Sequence, residues 1–157
     1  MQAFALTRFA SRLLTVLALC ALCASLAQAQ LTPLGLWKTF HEEGRVPRSL
    51  VRVTETNGVV SARIEKLLDP SLKPDVVCAR CKDELRDKPI IGMTVVRGVR
   101  QSRSDPSVWD GGEILEPEDG KIYSVRMKPW DGGQRLEVRG YLGVPMLGRT
   151  LNWVRVE

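Results

Sequence analysis

Alternation, not a helical period, runs through most of this chain. Leu34-Gly-Leu-Trp-Lys-Thr-Phe40 alternates over a short stretch, and Leu50 to Thr56 is β-branched and alternating. Side chains on a strand point to opposite faces in turn, so this period predicts half-buried strands. Asn57-Gly58 follows at once. Both residue types tolerate positive φ, which makes the pair a strong hairpin signal. The returning strand is Val59 to Lys66, with Val60, Ala62 and Ile64 on one face and Ser61, Arg63 and Glu65 on the other.

An irregular stretch from Leu67 to Lys88 interrupts the pattern. It holds Pro70, Pro74, Cys78 and Cys81, and residues 79–86 suit one or two helical turns. Strand character resumes at Ile90 to Val96 and again at Gly111 to Leu115. Glu116-Pro-Glu-Asp-Gly120 is a turn sequence, and Lys121 to Lys128 returns with Tyr123, Val125 and Met127 on one face. After a turn at Gly132-Gly133, Leu136, Val138, Gly140 and Leu142 alternate with Arg135, Glu137, Arg139 and Tyr141. The chain closes on Arg149 to Val156, where Leu151, Trp153 and Arg155 share a side. Trp-Asp-Gly-Gly occurs at 109–112 and 130–133, which reads as two similar turns.

Short strands at regular spacing, about eight in all, predict an all-β fold. Such spacing suits a sandwich or a barrel; a single antiparallel up-and-down barrel with one long loop is the expected form, because closure removes the exposed edges. A barrel of about eight strands encloses either packed side chains or one small ligand.

The first 29 residues have a different character. Arg8 and Arg12 precede an apolar run from Leu13 to Leu26, and Ala27-Gln28-Ala29 is an A-x-A cleavage site. The run, about 14 residues, is short for a permanent membrane span. Residues 1–29 are expected to be a secretory signal peptide, leaving 30–157 as one periplasmic or secreted domain. Cys20 and Cys23 leave with the signal, so Cys78 and Cys81 are the pair the mature chain keeps. Losing Arg8 and Arg12 lowers the net charge by two, from +5 to +3. That mild, dispersed excess argues against nucleic acid as a partner, which needs a clustered basic face.

Several motifs together carry a resemblance. They are Gly35-Leu-Trp37, Leu68-Asp-Pro70, Cys78-x-x-Cys81, Lys88-Pro-Ile-Ile-Gly-Met93, Trp109-Asp-Gly-Gly-Glu-Ile-Leu115, Leu136-Glu-Val-Arg-Gly-Tyr-Leu-Gly143, Leu147-Gly-Arg-Thr150 and Trp153-Val-Arg155. Across about residues 33–157 the chain resembles the exported bacterial family called domain of unknown function 2147. The resemblance implies a small lipocalin-like barrel, with no activity and no catalytic residue to carry over. Gly35-x-Trp37 is also similar to the G-x-W near the start of lipocalins. In those proteins the tryptophan plugs the closed end of the barrel and an arginine from the last strand packs across it. Arg149 or Arg155 is the implied partner here.

In an oxidising compartment Cys78 and Cys81 are expected to close a small structural disulfide on the long loop. Thiol exchange and metal binding are the alternatives. Zinc normally takes four protein ligands, or three and water, and His41 is the one histidine. A thioredoxin-like site expects a βαβ setting that this chain lacks. No metal or cofactor is expected.

Trp109, Tyr123, Tyr141 and Trp153 are the candidates for lining a cavity, against ordinary packing. Trp109 and Trp130 are expected near a rim. Among the strand arginines 63, 126, 135, 139 and 149, an inward one could clamp an anion, but Arg139 is expected to face outward. Glu113, Glu116, Glu118 and Asp119 read as a solvated turn, and His41 as a surface residue. Gly143-Val-Pro-Met-Leu-Gly148 is an apolar loop, either a lip or a plug.

The leading functional expectation is a non-enzymatic binding protein for a small apolar or amphipathic ligand. An envelope interaction module with a filled barrel, docking onto a protein or cell-wall partner through loops 67–88 and 98–110, is the second; peripheral membrane or cell-envelope contact is compatible with either. A redox protein using Cys78 and Cys81 is the third.

Overall fold

The computed structural model describes residues 31–41 and 46–157. The expected signal peptide, with Cys20 and Cys23, lies outside the described residues. Eight antiparallel strands follow one another: β1 (Gly35–Phe40), β2 (Pro47–Thr56), β3 (Val59–Leu67), β4 (Thr94–Gln101), β5 (Trp109–Glu116), β6 (Lys121–Trp130), β7 (Arg135–Tyr141) and β8 (Arg149–Arg155). Each pairs with the next, and β8 returns to β1 through Trp37↔Arg155 and Lys38↔Val154. The expected up-and-down barrel is therefore the observed one, and closure leaves no unpaired edge.

Alternation decides which residues fill it. Val51, Val53, Val60, Ala62, Val96, Val99, Val125, Met127, Leu136 and Val138 are all buried and come from five strands. The β-branched valines among them suit the pleated inner surface. Asn57 at φ 53° and Gly58 at φ 73° make the tight β2–β3 hairpin.

Two local readings are corrected. The fourth strand runs from Thr94 to Gln101, not from Ile90 to Val96. Ile90–Met93 instead turns at Gly92 (φ 86°), with the Gly92 amide on Ile64 O at 2.7 Å. The first Trp-Asp-Gly-Gly is not a turn but the start of β5, where a bulge falls between Trp109 and Gly112. A side chain at Gly112 would lie 2.4 Å from Arg97 O and 2.5 Å from Val99, so only glycine lets β4 and β5 approach there. The second copy is the β6–β7 turn, with Gly132 and Gly133 at φ 61° and 86°. Identical sequence takes two conformations because its strand partners differ.

Antiparallel order sorts the connections into two ends. The β2, β4 and β6 strands run toward the end that holds the chain segment 31–34 and the C-terminal Val156-Glu157. The β1, β3, β5 and β7 strands run toward the other end, the mouth. The long β3–β4 connection, residues 68–93, lies at the mouth, with a single 3-10 turn at Asp83–Leu85 in place of the expected helical turns.

Candidate functional site

Trp37 closes the first end. Its indole is fully buried and donates Nε1–H to Pro33 O at 2.7 Å. The Arg155 guanidinium lies over the ring, 4.2 Å from its centroid. That guanidinium also donates to Leu34 O at 2.7 Å, Thr32 O at 2.9 Å and Gly133 O. One arginine thus joins the incoming segment, the β6–β7 turn and the plug. Burial pushes its pKa down from the usual arginine value. Gly35 has φ 124°, and a Cβ there would lie 2.5 Å from both Arg155 and Glu157 O. The motif is glycine because the arginine and the C-terminal backbone occupy that space.

The mouth is built around the cysteine loop. Cys78 and Cys81 form a disulfide with Cα atoms 5.4 Å apart, and both residues are buried. Cys78 N–H donates to Lys88 O at 2.9 Å, Ile90 N–H to Val76 O at 3.1 Å, and Asp87 N–H to Cys78 O at 3.1 Å. The loop therefore carries its own backbone bonds. It rests on the β5–β6 turn, where a Cβ on Gly120 would lie 1.9 Å from Arg80 O.

A charge network ties this end together. Arg48 at the start of β2 pairs with Glu116 at the end of β5, across the barrel, and reaches Glu118 at 3.2 Å. Burial acts to lower the Arg48 pKa, but the hydrogen bond and charge of Glu116, with Glu118 and Asp69, outweigh it and hold it above the usual value. His41 Nε2 meets Asp69 Oδ2 at 2.9 Å, and its Nδ1 lies 3.8 Å from Glu118. The Ser71 hydroxyl and amide donate to Asp69 at 2.6 and 2.8 Å; with His41 they hold its carboxyl below the usual range.

Beneath this network lies a cavity of about 320 Å³. Val51, Ile64, Val95, Ile114, Leu151 and Trp153 line it from the strands, and Leu72, Val76, Val77 and Ile90 from the loop. Its polar atoms come from few places. Thr39 and Ser49 are buried, with hydroxyl oxygens 2.8 Å apart, the Arg48–Glu116–Glu118 group stands at the mouth, and Arg80 joins the lining from the loop. Apolar walls with a few convergent polar groups are the usual make-up of a small-molecule site. Among the described residues no three His, Cys, Asp or Glu side chains are grouped as a metal would require.

Residues 35–155 match the family described as uncharacterized protein conserved in bacteria, DUF2147. The chain belongs to this family. Protein HP1028 from the human pathogen Helicobacter pylori, described as belonging to the lipocalin family, matches with a TM-score of 0.68 and 22% identity, over 82% of this chain and 85% of that one. At that identity the likeness bears on the fold: this DUF2147 chain is a lipocalin-like barrel. No curated protein matches the sequence at a significant level.

Within this DUF2147 barrel the sequence candidates separate. Gly35, Trp37 and Arg155 meet at the closed end, while Arg149 starts β8 at the mouth, far along the strand from Trp37. Of the four aromatic candidates, Trp153 lines the cavity and the other three do not. Trp109 is buried in the core opposite Met127. Tyr123 donates its hydroxyl to Asp119 at 3.0 Å; burial first, then that bond, raises its pKa. Tyr141 is half-buried, and its neighbour in the sheet is Ser124. Trp130 is partly exposed under Arg135, as a rim position allows. Arg139 does face outward, and it donates to Pro145 O, Met146 O and Thr150 Oγ1.

The acidic turn is not simply solvated, since Glu116 is the half-buried partner of Arg48. Arg48, Thr39 and Ser49 were not singled out in the sequence. Thr39 had a signal available, because it shares its strand face with Trp37. Arg48 had none: its partner is distant in sequence, and a bulge sets its direction.

Proposed function

We propose that this protein is a carrier or sensor that holds one small apolar or amphipathic molecule in the mouth-end cavity. The observation that carries the reading is that cavity, about 320 Å³, walled by aliphatic side chains and roofed by the disulfide-clipped loop. Its volume is at the small end of ligand pockets. It suits one compact ligand. The N-terminal pattern supports export before the domain meets its ligand. Both sulfurs are buried, which counts against thiol exchange, since reactive cysteines need access.

Native mass spectrometry of protein purified from its own cell envelope tests the proposal. A co-purifying molecule of that size, lost on mild unfolding, is expected. Protein that is consistently empty, and that takes up no apolar probe, overturns the carrier reading. N-terminal sequencing of the same material should begin at Gln30 if the signal is removed.

A second reading, contact with a membrane surface, has its own observation. The β7–β8 loop presents Met146 and Leu147, 88% and 83% exposed, with Leu142 and Val144 beside them and Arg149 next in the chain. Exposed apolar side chains of this kind mark interaction sites. Co-sedimentation with anionic vesicles, lost in Met146→Asp/Leu147→Asp, supports this reading. Equal sedimentation of both proteins overturns it.

A further inference from the structure

Exposed apolar side chains are not spread evenly over the barrel. Among the described residues eleven large ones are exposed. Leu142, Val144, Met146 and Leu147 stand on the β7–β8 loop at the mouth. Val46 ends the β1–β2 connection, Val77 and Ile91 belong to the 68–93 connection and Ile122 opens β6, all at the same end. The closed end has three: Leu31, Trp130 and Val156. Single exposed apolar residues are ordinary, but a gathering of them on one end marks an interaction surface.

The β7–β8 loop is a lip of the mouth, not a plug. None of residues 142–148 lines the cavity, whereas Leu151, further along β8, does. The lip is held in shape. Arg139 donates to Pro145 O and to Met146 O, and Gly148 packs so closely that a Cβ there would lie 2.6 Å from Gly140 O. Its apolar tips therefore point outward with little further ordering needed on contact. Leu147 and Leu151 are four residues apart, at most roughly 13 Å of strand. A lip sunk to the depth of an interfacial helix, about 5–10 Å, brings the cavity mouth down to the lipid headgroups.

The chemistry of the lip favours lipid over protein. It is a narrow tip with no aromatic residue, whereas a stable protein interface takes about 800 Å² per partner and is anchored by aromatic and arginine side chains. Its charge favours anionic lipid. No acidic residue occurs between Val138 and Val156, and Arg139 and the exposed Arg149 flank the tip. On the β5–β6 turn Glu116 and Glu118 are held by Arg48, and Asp119 by Lys121 at 3.5 Å. The 68–93 connection carries five acidic and five basic residues and so no net charge.

Resting on the carrier and membrane-contact readings above, we infer that the two are one device. The lip docks on an anionic bilayer, and the ligand passes between bilayer and cavity without crossing bulk water. The ligand class this selects is a small lipophile that resides in membranes.

N-Phenyl-1-naphthylamine, a small neutral lipophile that fluoresces in apolar surroundings, is the probe. The loaded mature protein is mixed in a stopped-flow cell with vesicles that carry a quencher lipid, made of phosphatidylcholine alone or of equal parts phosphatidylcholine and phosphatidylglycerol. Transfer by contact should speed up in proportion to vesicle concentration. It should be at least about five-fold faster to the anionic vesicles, the effect of one arginine near such a surface. Met146→Asp/Leu147→Asp should lose the dependence on vesicle concentration. It should bind the probe in solution as the native protein does, since neither side chain lines the cavity, and that binding also shows that the variant is folded. A native transfer rate independent of vesicle concentration means release into water and overturns the inference, while the carrier reading stands and co-sedimentation judges the contact reading separately. A variant that transfers as fast as the native protein overturns the role of the lip. Equal rates to neutral and anionic vesicles overturn the anionic assignment. If the probe does not bind at all, the carrier reading falls and the inference with it.

Discussion

Arg155 does at one residue what several contacts do elsewhere. It stacks on Trp37 and donates to three backbone carbonyls around the closed end. Arg155→Met keeps much of the volume and removes the donors and the charge. It should cost about 1–3 kcal/mol, because three part-buried carbonyls lose partners along with the stacking. Urea denaturation of the mature domain reads this directly, and a loss below about 0.5 kcal/mol would show that the plug holds without it. Gly35→Ala should also destabilise, because φ 124° strains any side chain and its Cβ would lie 2.5 Å from Glu157 O. The Gly35-x-Trp37 pair was legible in the chain, but the arginine was not. Arg149 and Arg155 share strand parity, so alternation cannot separate them; only the β1–β8 register can.

At the scale of elements, the 68–93 connection is a small folded unit, not a tether. Its backbone bonds, the Val77↔Pro89 bridge and the Cys78–Cys81 disulfide hold it over the cavity. A four-residue disulfide loop restricts the unfolded chain by about 2 kcal/mol on the chain-entropy account. Cys78→Ser/Cys81→Ser should therefore lower stability by that order or less. Its larger effect should be local, with faster amide exchange in 76–90 and unchanged exchange in β2, β3 and β7. Uniform acceleration across the barrel would show that the disulfide stabilises the whole fold instead.

Asp69 makes the same loop acid-sensitive. Its folded pKa is depressed, chiefly by the Ser71 bonds and then by His41, so its contribution is present above the ordinary aspartate value. That contribution is lost as pH falls from about 4 toward the lower folded value. Exchange in the loop, corrected for intrinsic rate, should rise over that window, and Asp69→Asn should flatten the rise. An unchanged acid profile in Asp69→Asn would assign the sensitivity elsewhere. The loop's existence was plain from its prolines and broken alternation. Its seat on the β5–β6 turn was not, because Gly120 and Arg80 meet only when two distant segments fold together.

For the whole molecule the deciding quantity is space. Leu151 lines the cavity and is only partly buried, so Leu151→Phe can grow into the void. It should lower probe affinity at least ten-fold while changing stability by less than about 1.5 kcal/mol, the range of tolerated core swaps. Isothermal titration with octan-1-ol, alongside a thermal melt, checks both halves. Undiminished affinity would place the ligand elsewhere. The two-residue period, the Asn57-Gly58 hairpin and the turn residues were enough to determine about eight strands joined mostly by tight turns, because these are local rules that each segment obeys by itself. The sequence alone also marked the cysteine loop as the exception. Whether the barrel is filled or open was left to the tertiary structure. Interior volume depends on how strands from opposite sides approach, on bulges such as those near Thr39 and Gly112, and on where the long loop comes to rest. Those are distances between residues far apart in the chain, and the same reason hid the Arg48–Glu116 pair.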